Sequence, residues 1–279
     1  MTQKNTSLPL PRGEGRGEGI TPNTATSKTV PASTPAKLAL LLATLLPTPT
    51  NAAEIQILTA GAYRSVLTTL APTFEQFTGH HLTIRTETAG GVLEKIRAKD
   101  PADLIILTPA GITALADLVR PNSMRPLAKV GIAIAVPKGA PRPDISTPEA
   151  VRAAVLAARA PAWIDPAAGG SSGIYMAKLW ETWGIAAQLA PKAVLVQGGL
   201  VSDRLTNGTA DLAFQQRSEL ENHGVDVLGP LPPSIQTYTT YAGAIPASST
   251  QPEAAAALLT FLSSSVPVPT LLANGMQTP

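Results

Sequence analysis

The stretch Glu54-Ile-Gln-Ile-Leu-Thr-Ala-Gly-Ala-Tyr63 opens as a short apolar strand, breaks at a small-residue turn and runs into a segment whose apolar residues (Val66, Leu67, Leu70, Phe74, Phe77) recur at helical spacing. A strand that turns through glycine directly into a helix is the first half of a βαβ unit. The residues that follow repeat the pattern: strand Leu82 to Thr86 after the Thr78-Gly79 stop, helix Val92 to Ala98, strand Leu104 to Leu107, and a helix predicted from Ile112 to Val119. Alternation of this kind predicts an α/β protein with a parallel, doubly wound sheet.

The rhythm restarts further along. Strand Gly131 to Val136, helix Pro148 to Ala158, strand Ala162 to Ile164, helix Ile174 to Trp183, strand Ala193 to Val196, helix Leu200 to Thr206 and strand Asp211 to Phe214 form a second α/β unit. A return strand, Thr237 to Ala244, and a helix opening at Pro252 close the chain. Two doubly wound α/β lobes joined by a hinge are therefore expected, with residues 54–128 and 237–279 in the first and 129–236 in the second.

Composition supports a folded body and removes several chemistries. Of 279 residues, 44% are hydrophobic and 14% charged, so the chain can bury a large core. The formal net charge of +2 is spread without basic runs, so no nucleic-acid partner is indicated. With no cysteine there is neither a disulfide nor a thiolate ligand, and the three histidines, His80, His81 and His223, do not supply a metal site. No cofactor is expected. His80 and His81 read as surface residues, and Asp103, just before a strand, as a turn cap.

Ahead of the first strand, Lys37 precedes the apolar run Leu38 to Leu46, followed by Pro47, Pro49 and Asn51-Ala-Ala53. That is the order of a cleavable export signal, and the run is shorter than the ~20 residues a membrane span needs. Cleavage near Ala52 or Ala53 and a periplasmic location are expected. Residues 1–37, rich in Gly, Pro, Ser and Thr, read as a disordered extension or as chain upstream of the true start, with Val30 a candidate alternative.

In open α/β sheets ligands bind beyond the carboxyl ends of the strands, where the next helices begin. Four such junctions here carry glycine: Thr59-Ala-Gly61-Ala62, Thr88-Ala89-Gly90-Gly91, Ala168-Gly-Gly170-Ser171-Ser172-Gly173 and Gln197-Gly198-Gly199. The free N–H groups of a helix start bind anions without any lysine. One such junction is usually only a turn; two in each lobe would converge on one small anion when the lobes close. The candidate site residues are Thr59, Gly61, Ala62, Tyr63, Arg64, Ala89, Gly90, Gly91, Gly170, Ser171, Ser172, Gly198, Gly199 and Gln216, with Arg64 as a bidentate partner for a carboxylate or an oxyanion. Gln215 and Arg217 follow the same strand as Gln216 and face the same end of the sheet.

Taken in order, Ile57-Leu-Thr-Ala-Gly-Ala-Tyr63, Pro101-Ala-Asp-Leu104, Val136-Pro-Lys-Gly139, Asp165-Pro-Ala167, Gly173-Ile-Tyr-Met-Ala177 and Asn207-Gly-Thr-Ala-Asp211 resemble the periplasmic molybdate-binding proteins of ATP-driven importers. The resemblance implies a type II periplasmic binding fold, a monomer, and an anion held between lobes and passed to a permease and its ATPase. Two serine hydroxyls of that family fall near Ala62 and Gly90, and its binding tyrosine near Gln216, so a small carboxylate is as credible a ligand here as molybdate. A second reading is an enzyme on the same scaffold, since the broad family includes a periplasmic aconitate isomerase. Arg64 and the glycine junctions would then hold carboxylates, and Tyr175 or Glu87 would move a proton.

Overall fold

The computed structural model describes residues 52–279, so the expectations for residues 1–51 lie outside the described residues. In the first part of the chain β1 (Glu54–Ala60), α1 (Arg64–Thr78), β2 (His81–Glu87), α2 (Ala89–Arg97), β3 (Leu104–Leu107) and the short α3 (Pro109–Thr113) alternate. The chain continues through β4 (Arg125–Pro137), α4 (Pro148–Ala157), β5 (Pro161–Ile164), α5 (Ser171–Thr182) and α6 (Ala186–Leu189). Then come β6 (Val194–Val196), α7 (Ser202–Thr206), β7 (Leu212–Gln216), β8 (Val225–Pro230), β9 (Tyr238–Ala244), α8 (Pro252–Leu262) and α9 (Val268–Ala273).

The strands run in the order β2-β1-β3-β9-β4-β7-β5-β6, with β8 also pairing with β4. The order is nearly symmetric about β4: β2, β1 and β3 are parallel on one side, and β6, β5 and β7 are parallel on the other. β4 belongs to both halves. Its residues from Arg125 to Gly131 pair antiparallel with β9, and those from Ile132 onward pair with β7 and β8. At the switch, the Gln236 side chain accepts from Ile132 N and donates to Ile132 O, both at 2.9 Å, replacing a strand neighbour at that step.

Each half buries both faces of its sheet, which explains why β3 reads as an unbroken apolar run. Leu104 and Ile106 join Ile55, Ile57, Phe74 and Leu258 on one face, while Ile105 and Leu107 join Leu58, Val92 and Ile96 on the other. In the second half Ile132, Ile134 and Val136 pack with Trp163, Trp180 and Phe214 on one face, and Ala133 and Ala135 with Ile164, Val201 and Leu205 on the other. The architecture is two doubly wound α/β lobes joined by a hinge.

Several expectations change. The helix expected from Ile112 to Val119 is α3 followed by a separate 3-10 turn, Ala116–Leu118. β4 starts earlier than expected, at Arg125. Phe77 is 81% exposed, because the last turn of α1 passes the edge of the core. His80 is buried rather than on the surface: its Nδ1 accepts from Ala53 N at 3.1 Å and its ring lies 6.2 Å from that of Phe74. Asp103 is buried and caps, as expected, on a larger scale. It accepts from Gln56 N, and also from Ser249 Oγ, Thr250 N and Gln251 N ahead of α8.

Candidate functional site

The carboxyl ends of the parallel strands of both lobes face one cavity of about 340 Å³, at the small end of the roughly 300–1,000 Å³ common for small-molecule sites. The first lobe supplies Ala60, Gly61, Ala62 and Arg64 after β1 and Thr86 to Ala89 after β2. The second supplies Gly170 to Ser172 after β5, Gln197 to Leu200 after β6, and Gln216 and Glu219 around the end of β7; Tyr241 of β9 completes the wall. Of the candidate residues, Gly61, Ala62, Arg64, Ala89, Gly170, Ser171, Ser172, Gly198, Gly199 and Gln216 therefore line one space.

Four candidates do not. Tyr63 is fully buried in the first-lobe core, where the hydrophobic environment pushes its phenol well above the ordinary range and its hydroxyl has no partner among the described residues. Thr59 is also buried, its hydroxyl donating to Ala60 O at 3.0 Å. Gly91 N donates to the Thr88 hydroxyl that caps α2, at 3.0 Å. Gly90 is used structurally: its N–H donates to Gly169 O of the other lobe at 3.2 Å, so the two lobes touch. A Cβ on Gly90 would stand 3.1 Å from Gly169 Cα, tighter than ordinary van der Waals contact, so glycine here lets the two backbones approach. Tyr175 is likewise outside, donating to Ile235 O at 2.6 Å, and Arg217 is paired with Glu221 at 2.7 Å. Gln215 is buried beneath the Gly198-Gly199 turn, accepting from Val201 N at 2.7 Å and donating to Gly199 O at 2.9 Å.

The donors that remain are unequal. With Gly90 and Gly91 committed, the start of α2 offers the Ala89 N–H. The start of α5, which has no side-chain cap, offers Ser171 and Ser172 N–H groups that no protein acceptor takes among the described residues. These point the positive end of a twelve-residue helix at the cavity. Ser171 is also a junction between lobes, its hydroxyl 3.1 Å from Gln216 Nε2 and 3.4 Å from Thr239 Oγ1. Gln216 is buried and its Oε1 has no partner among the described residues. Arg64 is exposed at the rim, with no carboxylate within 4.0 Å among the described residues.

Glu219, Tyr241, Thr86 and Leu200 were not among the candidate residues. Glu219 sits in the 3-10 turn after β7, packed against the Gly61–Tyr63 turn of the other lobe. A Cβ on Gly61 would collide with its Oε1. Burial pushes its carboxyl up to about 8, against the pull of the Gln215 amide. The phenol of Tyr241 is raised by burial and by Glu219, with Ser171 acting in the opposite sense. Nothing in a single sequence distinguishes Glu219 from a solvated glutamate; only the packing of one lobe against the other brings it inward.

The comparisons with known proteins agree with this frame. A sequence profile of bacterial extracellular solute-binding proteins matches residues 55–277. A protein named aconitate isomerase, from a Pseudomonas species, is 32% identical over 239 residues, covering 81% of this chain and 88% of that one. In structure the chain is similar to the Azotobacter vinelandii periplasmic molybdate-binding protein (TM-score 0.68, 18% identity, 81% of this chain and 99% of that one). It is also similar to a sulfate-binding protein from Mycobacterium tuberculosis H37Rv (TM-score 0.64, 15% identity, 81% and 87%).

Proposed function

The chain belongs to the bacterial extracellular solute-binding proteins, and on that footing we propose that it is a periplasmic receptor whose lobes close over a small polycarboxylate and deliver it to an ATP-driven permease. The observation that carries this reading is the meeting of helix-start N–H groups from both lobes at one cavity with Arg64, which has no carboxylate within 4.0 Å among the described residues. Backbone amides and a guanidinium hold anions by directed hydrogen bonds, and the guanidinium matches a carboxylate in shape. A polycarboxylate is favoured over a bare tetrahedral oxyanion for two reasons. There is no hydroxyl at Ala62 or Gly90, and the Gly90 N–H is engaged across the lobes. The cavity is also lined by carboxyl, phenol and amide side chains, a varied surface suited to a ligand with several arms.

Titration calorimetry of the protein against molybdate, sulfate, citrate and both aconitate isomers tests it. A carboxylate is expected to bind; tight molybdate binding with no carboxylate response would overturn the reading.

A second reading, isomerisation of a tricarboxylate, is favoured by the 32% identity to a protein named aconitate isomerase. It would place acid–base groups beside the bound ligand, and Glu87, Glu219 and Tyr241 all reach the cavity. Ultraviolet monitoring of either aconitate isomer separates the two: interconversion removes the pure receptor, and a constant spectrum removes the enzyme.

A further inference from the structure

A carboxyl group inside an anion cleft demands an explanation, and Glu219 is one. We infer that Glu219 holds the ligand through its own proton, donating an O–H hydrogen bond to a ligand carboxylate, so that capture of the anion is linked to keeping that proton. The inference rests on the polycarboxylate reading of the cavity and adds to it the group that makes binding proton-dependent.

The Glu219 carboxyl lies against Gly61, at the start of the first-lobe turn that lines the cavity. Among the described residues no Lys, Arg or His nitrogen stands within 4.0 Å of it. Glu87, the other carboxylate on the wall, differs in having Lys95 at 3.4 Å. The charged and titratable groups around Glu219 are few. Arg64 is at the rim, Tyr241 stands on β9, Tyr63 points into the core, and Arg217 on its own turn is taken by Glu221. β4, which packs against the turn, carries Arg125 and Lys129, and neither forms an ion pair with Glu219.

An unpaired carboxylate enclosed with a polyanion would face like charge in a poorly solvated space, whereas a neutral carboxyl is a donor of the kind the rest of the cleft provides. The burial that raises the group to about 8 favours the neutral form at neutral pH. The sign follows directly. Below that value Glu219 carries its proton and the ligand is held; above it the ligand meets a second negative charge, and affinity falls by up to about tenfold per pH unit.

The test is calorimetry with trans-aconitate from pH 7 to pH 9.5, above the range in which its own carboxyls titrate, on the wild type and Glu219→Gln. Measurements at pH 8.5 in two buffers of different ionisation heat count the protons taken up. The wild type is expected to bind with proton uptake and a falling affinity above pH 8. Glu219→Gln, neutral and still a donor, is expected to bind at every pH with neither effect. A wild-type affinity that is flat with pH, or the same decline in Glu219→Gln, would overturn the assignment of Glu219. A wild type that binds no carboxylate at any pH overturns the reading beneath it, and the inference with it.

Discussion

Arg64 stands at the cavity rim with no carboxylate partner among the described residues. Arg64→Ala is expected to weaken trans-aconitate binding by about 1–3 kcal/mol, measured by calorimetry; an unchanged Kd would return it to the solvated surface. Asp103 makes the opposite kind of contribution, to stability rather than binding. Burial works to raise its pKa, but hydrogen bonds from Gln56, Ser249, Gln251 and Thr250 outweigh that and hold it below the usual range. Its folded value thus lies below the unfolded one, so its stabilisation is present above about pH 4 and is lost as pH falls through the folded value. Asp103→Ala is expected to cost about 2–4 kcal/mol in urea unfolding at pH 7, with the gap from wild type closing in acid. At this scale the sequence was only half legible. Glycine junctions and Arg64 follow from local pattern, but Glu219 and Tyr241 enter the cavity through contacts between residues far apart in the chain.

At the scale of elements, the glycines at the helix starts are not equivalent. Gly170 caps α5, and a Cβ there would lie 2.6 Å from Ile164 Cγ2 at the end of β5. Gly199 has a positive φ of 78° and open space around its missing side chain. Gly170→Val is therefore expected to lower stability by about 1–3 kcal/mol through overpacking, on top of any loss of binding. Gly199→Val is expected to cost about 1–2 kcal/mol from backbone strain alone. Thermal unfolding with and without trans-aconitate separates the two effects. The parallel strands and long helices were readable because apolar periodicity alone marks them. Three elements were not. β8 carries no strong alternation, and α6 and α9 are only 4 and 6 residues long, too short for a helical period to register.

For the molecule as a whole, one contact between the lobes, Gly90 against Gly169, is made without side chains. Gly90→Val would place a branched side chain where Gly169 now approaches, leaving each lobe's core untouched. It is expected to keep the native melting cooperativity but to show no decrease in radius of gyration with trans-aconitate in small-angle scattering, where the wild type is expected to compact. A variant that compacts like the wild type would show the contact to be incidental. The two-lobed plan itself was legible, because the βαβ rhythm stops and restarts, yet the way β4 serves both sheets was not: pairing between distant strands leaves no local signature.

The insertion of β9 between β3 and β4 has a consequence for biosynthesis. The first lobe begins at Glu54, but the strand that fills the middle of its sheet is Tyr238–Ala244, and α8 and α9, which cover it, come later still. A nascent chain emerging N-terminus first has no closed first lobe until its last few dozen residues have appeared. Until then β3 and β4 lack the strand that joins them, and the first lobe stays the last part of the molecule to close.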